Sequence, residues 1–355
     1  MTGQTAALAD RIGGGLAAAL LGDALGSATE MLTERQVRSR YGQVTGFTAP
    51  AAGTFAAGRE PGALTDDGLL TLALLERIID RGGVITSADT AEVLLRWSSD
   101  AEVFNRFAGP SSRKAILALR EGATPEIAGS PDPMGNDLRL SNGAAMKVGP
   151  AGWANPGQLD QAVSAACALC VPTHNSHVAF EGAACVAAAV AAASAGEGLS
   201  QVLEAGLAGA EKGYELGLAQ AVEVPAPRIK ARVELALELA DGPGSAERRL
   251  RRLVGVIGSG LPITEAVPMA LGLVALFGQE PIRLILAAVN LGGDSDTVAS
   301  IAGAIAGTVA GLGRLDREMV GRLEEVNGID VRRIASRAAA LKRADPPTPG
   351  QGGEL

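Results

Sequence analysis

Three short segments of this 355-residue chain set acids and hydroxyls directly beside glycine. They are Gly22-Asp23-Ala24-Leu25-Gly26-Ser27-Ala28-Thr29-Glu30, Thr65-Asp66-Asp67-Gly68 and Gly292-Gly293-Asp294-Ser295-Asp296-Thr297. The second and third open predicted helices. Capping accounts for part of that pattern, because Thr, Ser and Asp accept from first-turn amides and acids there meet the helix dipole favourably. One capping group is enough, yet each segment carries two acids and a hydroxyl. The segments are 294 − 67 = 227 residues apart. If they meet in space, at least four carboxylates converge, and their repulsion must raise their pKa values or be offset by a cation. Oxygen-only donors select Mg²⁺, Mn²⁺ or Ca²⁺. Two acids per segment would supply two such ions sharing a bridging carboxylate. Periodicity does not show whether the segments meet.

The elements that must carry these residues read as helices separated by Gly, Pro, Asn and Asp. Apolar spacing and punctuation predict helices over 6–21 (ending at Gly22), 67–81, 90–97 (Asp89 as N-cap), 112–120, 158–170, 178–195 and 199–216. Further helices are predicted over 228–239, 246–256, 264–277, 281–290, 297–312, 317–325 and 330–343. The stretch 131–143 reads as a loop. No period-2 strand pattern, internal repeat or interdomain linker is present, so the fold class is all-α. One compact multi-helix domain is expected over 1–345, with a disordered tail at Pro346–Leu355 (PPTPGQGGEL). Gly303, Gly307 and Gly311 recur every four residues, a smooth stripe that costs about 1 kcal/mol per Gly relative to Ala and implies close approach of another backbone.

Composition agrees. Hydrophobic residues make up 47% and aromatics only 3%, a balance that suits closely packed helices over a sheet. The net charge of 31 − 39 = −8 gives no basic footprint for nucleic acid. Three cysteines cannot all pair, so a disulfide framework is not expected and the default compartment is a reducing cytoplasm. Two histidines argue against a His-based zinc site. The N-terminus lacks the order of an export signal, and no uninterrupted apolar run reaches membrane-spanning length, so no membrane span is expected.

Five segments, in order, resemble the ADP-ribosylglycohydrolase family, which includes the dinitrogenase-reductase-activating glycohydrolases and ADP-ribosyl-hydrolases. They are Gly22-Asp23-Ala24-Leu25-Gly26 with Glu30; Thr65-Asp66-Asp67; Ser141-Asn142-Gly143-Ala144-Ala145-Met146; Thr173-His174-Asn175-Ser176 leading into Glu181-Gly182-Ala183; and Asn290-Leu291-Gly292-Gly293-Asp294-Ser295-Asp296-Thr297. Each is weak alone. Together they span roughly residues 10–340. The resemblance implies a single all-α domain with a dinuclear Mg²⁺ (or Mn²⁺) site at the mouth of a cleft. It implies that Thr65, Asp66 and Asp67 ligate one ion and Asp294, Asp296 and Thr297 the other, with Asp296 as bridge. Glu30 resembles the mobile acid that reaches the second ion or the water. Ser141, Asn142 and Gly143 resemble a loop whose amides hold phosphate, a task suited to exposed Gly-loop N–H groups.

His174 reads either as a satisfied structural residue or, on the resemblance, as a residue of the substrate cleft. His177 and the pair Cys167 and Cys170 read as structural. Trp97 and Trp153 read as core, with stacking on a base as the alternative for Trp153. Two positions depart from the family pattern. Gly68 stands where a hydroxyl residue is common, and Lys147 where Arg is usual. Arg grips phosphate bidentately and Lys only as a point charge, so both departures bear on substrate identity.

The resemblance therefore implies a Mg²⁺-dependent hydrolase acting at the anomeric carbon of a ribosyl group, with Glu30 or a metal-bound Asp (Asp67, Asp296) as proton acceptor. ADP-ribosyl-protein, arginine-linked, is the first candidate substrate. A small free N-riboside or ribotide is the alternative, motivated by Gly68 and Lys147. A silent ADP-ribose or nucleotide binder is the third, opposed by the complete ligand set. No nucleic-acid or membrane partner is implied.

Overall fold

Two glycine-rich helices from opposite ends of the chain, Gly3–Gly26 and Ser295–Ala310, lie against each other at the centre of the protein. The computed structural model describes residues 3–132, 134 and 136–341. Along the helix pair the backbones touch. A Cβ on Gly22 would stand 2.5 Å from the Ala299 carbonyl oxygen, and one on Gly303 would stand 2.5 Å from that of Ala18. Close packing of this kind offsets the helix-propensity cost of glycine. Gly22 therefore does not end the first helix, as its type had implied; it is an interior contact point, and the helix runs on to Gly26. Gly311 leaves the expected stripe, because it lies past the helix end at φ +80.

A second pair repeats the device. Gly209, Gly213 and Gly217 on helix Leu199–Gln220 face helix His177–Ala195, where a Cβ on Gly213 would stand 2.6 Å from the Phe180 carbonyl oxygen. By length and composition His177–Ala195 could cross a membrane, but 94% of its apolar window is buried inside the protein. Its apolarity is that of a core helix.

Among the described residues no strand forms, and the architecture is helical throughout, in one body. Four helices escaped the periodicity reading: Glu34–Tyr41, Ala101–Phe107, Pro125–Gly129 and Gly149–Ala154. The first is Arg-rich with one buried residue, Val37, and is defined by its Thr33/Gln36 capping box, so it has no apolar period to read. The last is Gly/Pro-rich, and it buries Trp153, whose indole N–H donates to Thr308 Oγ1 at 2.9 Å. Trp153 is thus a core residue and does not stack on a base. Asp89 is not an N-cap: Thr86 caps that helix, and Asp89 completes its capping box. The helix expected over 330–343 is observed over Val331–Ala339. The tail expected at Pro346–Leu355 lies outside the described residues.

Candidate active site

The Thr65 and Asp294 segments do meet. Thr65 occupies the N-cap position of helix Asp66–Asp80, and Asp294 that of helix Ser295–Ala310. Neither side chain caps its helix. The ordinary use of these residue types is therefore not the one made of them here, and their oxygens are turned to other work. Carboxylate oxygens of Glu30, Asp294 and Asp296 lie within 4.8 Å of one another. Thr297 joins the Asp66 segment to this group, because its hydroxyl lies within hydrogen-bond reach of both Asp67 and Asp294 and its one proton can serve either. Thr65, Asp67, Asp294, Asp296 and Thr297 are buried, whereas Glu30 and Asp66 are half-buried at the rim. All seven sequence-predicted ligand residues thus lie at one place.

Backbone geometry explains how Glu30 arrives there. Gly292 and Gly293 both take positive φ, +71 and +74, and a Cβ on Gly293 would stand 2.5 Å from Ser259 Oγ. These glycines let the chain pair with the turn after Glu30. Met31 N–H donates to the Gly293 carbonyl at 2.7 Å, and Gly293 N–H donates to the Leu32 carbonyl at 2.7 Å. Thr29 Oγ1 donates to the Val289 carbonyl at 2.9 Å, fastening the same turn from below. Ser295 serves this frame, with its hydroxyl 2.9 Å from that of Thr29.

The electrostatics are those of acids crowded out of water. Burial, reinforced by Asp294, Asp66 and Asp23, pushes Glu30 up to about 8. Burial and the neighbouring Asp23 charge push Asp66 up to about 8. Burial raises Asp67 and Asp296 well above the usual carboxylate range, and raises Asp294 as well. Asp67 Oδ2 is buried without a hydrogen-bond partner. A buried, unpaired carboxylate oxygen beside four other acids fits a hard divalent cation, which oxygen donors favour.

A pH-dependent metal effect follows. The acids' folded-state pKa values are raised, so the folded ion-free protein holds protons that the unfolded chain has lost. Stability therefore falls as pH rises from the unfolded carboxylate range, about 4, through the folded values near 8. A cation requires the deprotonated ligands. Calorimetry should show Mg²⁺ raising Tm over EDTA by more at about pH 8.5 than at about pH 5.5. An equal shift at both values would contradict the arrangement.

The loop over 139–147 closes one side. Arg139 anchors it by donating to the Ser111, Ala128 and Ser130 carbonyls. Asn142 was expected to offer its amide to phosphate. That amide instead donates to the Leu261 carbonyl at 2.9 Å, and the Asn142 side chain donates to Asp294. Asn142 therefore belongs with the acids. Ser141 is half-buried, and its Oγ lies 2.6 Å from His174 Nε2; His174 Nδ1 in turn lies 2.8 Å from Thr173 Oγ1. His174 is fully buried, and that burial lowers its pKa well below the usual value. It lies behind Ser141, which stands between it and the solvent. Gly143 packs against it, since a Cβ there would stand 3.1 Å from His174 Cε1. His177 is structural as read: Val224 N–H donates to its Nδ1 at 3.2 Å. Lys147 is buried, and its ammonium donates to the Gly143 carbonyl.

One residue of the site went unassigned in the sequence. Asp23 is fully buried on the central helix and accepts from Thr65 and Gly68. The signal available was an acid within an Ala/Leu run, a position where a charge persists only with partners.

Comparison with known proteins agrees with this geometry. The ADP-ribosylglycohydrolase family profile matches residues 4–348. The chain is 29% identical over 337 residues to the uncharacterized protein YegU of Escherichia coli K12, covering 94% of this chain and 98% of that protein. It is 31% identical over 288 residues to an uncharacterized protein of Archaeoglobus fulgidus, covering 81% and 83%. A solved ADP-ribosylglycohydrolase-related protein complex shares the fold at TM-score 0.65 and 23% identity, over 94% of this chain and 98% of that one. With the profile running nearly end to end over a helical body that brings its acids together, this chain belongs to the ADP-ribosylglycohydrolase family.

Proposed function

We propose that this protein is a Mg²⁺-dependent hydrolase of the glycosidic bond at the anomeric carbon of a ribosyl group, with arginine-linked ADP-ribosyl-protein as first candidate substrate. The observation that carries this reading is the gathering of Glu30, Asp294 and Asp296 within 4.8 Å, joined to Asp67 through Thr297. Thr65, Asp66 and Asp67 would hold one Mg²⁺ (or Mn²⁺), and Asp294, Asp296 and Thr297 a second, with Asp296 shared; ions bound there supply Lewis acidity toward a ribose diol and a lowered pKa for water. Glu30 is half-buried, with a carboxylate oxygen within 4.8 Å of those of Asp294 and Asp296, where it would accept a proton from water held at the site. Asp67 and Asp296 are the alternative acceptors. Bond breaking builds positive charge on the ribosyl carbon, and the clustered acids stabilise that charge. Beside Ser141 a cavity of about 370 Å³, walled by Leu138, Leu140, Leu261 and Pro225, offers apolar surface to a base or leaving group.

A second substrate class has its own observation. Lys147 is 1% exposed and spends its ammonium on the Gly143 carbonyl. It therefore offers a diphosphate a buried point charge and no exposed bidentate grip of the kind Arg would give, which favours a small free N-riboside or ribotide. A silent nucleotide binder is disfavoured by retention of all seven oxygen donors. The net charge of −8 suits neither nucleic acid nor a membrane surface, and three buried free cysteines suit a reducing cytoplasm.

Product release by mass spectrometry tests these readings. The panel comprises ADP-ribosyl-arginine and ADP-ribosyl-serine peptides, O-acetyl-ADP-ribose, NAD and simple N-ribosides, each with Mg²⁺ or EDTA. Release of ADP-ribose from the arginine linkage in Mg²⁺ alone is expected. Release only from small ribosides would replace the first substrate by the second. Tight ADP-ribose binding with no turnover would make the protein a binder.

A further inference from the structure

We infer that Asp23 is the positioning residue that frees Thr65 to act as a ligand: it takes over the capping of helix Asp66–Asp80 and fixes the direction of the Thr65 hydroxyl. This rests on the metal reading above and deepens it. Thr at an N-cap ordinarily spends its oxygen on the amide two or three residues on. Here it does not. Asp23 Oδ2, from another helix, accepts Gly68 N–H at 3.0 Å, which is the amide Thr65 would have capped. The same oxygen accepts Thr65 N–H at 2.9 Å. The other oxygen, Oδ1, accepts the Thr65 hydroxyl proton at 2.5 Å.

The polarity of that last bond is the point. A carboxylate can only accept, so the Thr65 proton is turned toward Asp23. The lone pairs of Thr65 Oγ1 are then left to face away, as a metal ligand requires, and the negative partner makes that oxygen a better donor. Three hydrogen bonds from one fully buried side chain also hold the Thr65-Asp66-Asp67 turn at a fixed place relative to the central helix.

Gly68 acquires a reason on the same account. A Cβ there would stand 2.5 Å from Asp23 Oδ2 and 2.7 Å from Leu64 Cδ2. A side chain at position 68 would therefore press on the Asp23 carboxylate, and Gly68 leaves that carboxylate where it accepts its three hydrogen bonds.

The test reads metal binding directly, by Mn²⁺ electron paramagnetic resonance titration of the full chain. Wild type, Asp23→Asn, Thr65→Val and the double variant are compared, with helicity followed by circular dichroism. Asn is isosteric, but its single carbonyl oxygen cannot accept on both sides. Asp23→Asn is expected to weaken Mn²⁺ affinity about 10- to 100-fold, the range for loss of a ligand's supporting partner. Asp23→Asn should cost less affinity in the Thr65→Val background than in wild type, because part of its effect runs through that hydroxyl. Gly68→Ala, which displaces the same carboxylate, should weaken affinity in the same direction and serves if Asp23→Asn does not fold. Asp23→Asn or Gly68→Ala binding within about twofold of wild type would overturn the inference, as would losses that add in the double variant. Absence of Mn²⁺ binding by wild type would instead overturn the metal reading beneath it.

Discussion

Replacing Asp296 by Asn should abolish turnover while making the ion-free protein more stable. Asp296 sits where the two acid-bearing segments meet, and burial together with Glu30, Asp294 and Asp67 raises its pKa well above the usual range. An acid in that setting costs folding free energy at neutral pH, because unfolding lets it ionise in water. Asn keeps the shape and can still accept the Thr297 N–H that Asp296 Oδ1 accepts at 2.9 Å. It removes the ionisable group, and the relief should appear as a higher Tm in EDTA. Function responds oppositely. On the proposed reading Asp296 is the carboxylate shared between the ions, so its loss removes charge that the reaction needs in its transition state, and a fall of about 10³-fold, near 4 kcal/mol, is expected in the rate of the preferred substrate. The stability gain and the activity loss come from one cause, the strained concentration of like charge at a working site. A variant that turns over normally would refute the two-metal reading. A variant less stable in EDTA would show that the cluster is not under repulsion.

Gly26→Ala should damage the site from the opposite side. In an isolated helix the change gains about 1 kcal/mol of propensity. Here the new Cβ would stand 2.7 Å from the Ser295 carbonyl carbon and closer still to the Asp296 backbone. Both are main chain and cannot swing aside, so the overpacking cost, typically about 1–3 kcal/mol, exceeds the propensity gain. The helix carrying Asp296 and Thr297 must shift relative to the one leading to Glu30. The expected result is a lower Tm together with weaker Mg²⁺ stabilisation, both read by calorimetry. Gly321→Ala is the control: it lies inside helix Arg317–Asn327 with nothing within 4 Å of its would-be Cβ, so it should raise Tm by its propensity gain and leave the Mg²⁺ stabilisation near wild type. Undiminished Mg²⁺ stabilisation in Gly26→Ala would show that helix contact does not set ligand position.

The helical class, most helix boundaries and the acid-rich segments that the fold brings together were legible in the residues. Apolar period and small-residue content decide helix over strand, and the Asp-rich segments are unusual enough to stand out beside glycine. Glu34–Tyr41 was not legible, because it has no apolar stripe and is defined by a local capping box. Gly22 misled for a related reason. A glycine in sequence reads as a stop, and only the Ala299 backbone pressed against it shows it to be a contact.

The same division runs through the site. Residue types alone pointed to hard-cation chemistry and argued against a His-based zinc site, because donor chemistry belongs to the side chain wherever it is placed. What each donor is free to do was decided by the fold. Thr65 and Asp294 occupy cap positions that local rules would fill with cap bonds, and those bonds are absent. Asn142 turns from a phosphate loop to an acid, and His174 withdraws behind Ser141. A hydrogen-bonding group is committed by its nearest partner in space, and Asp23 lies 42 residues from Thr65 in sequence while accepting its hydroxyl proton at 2.5 Å.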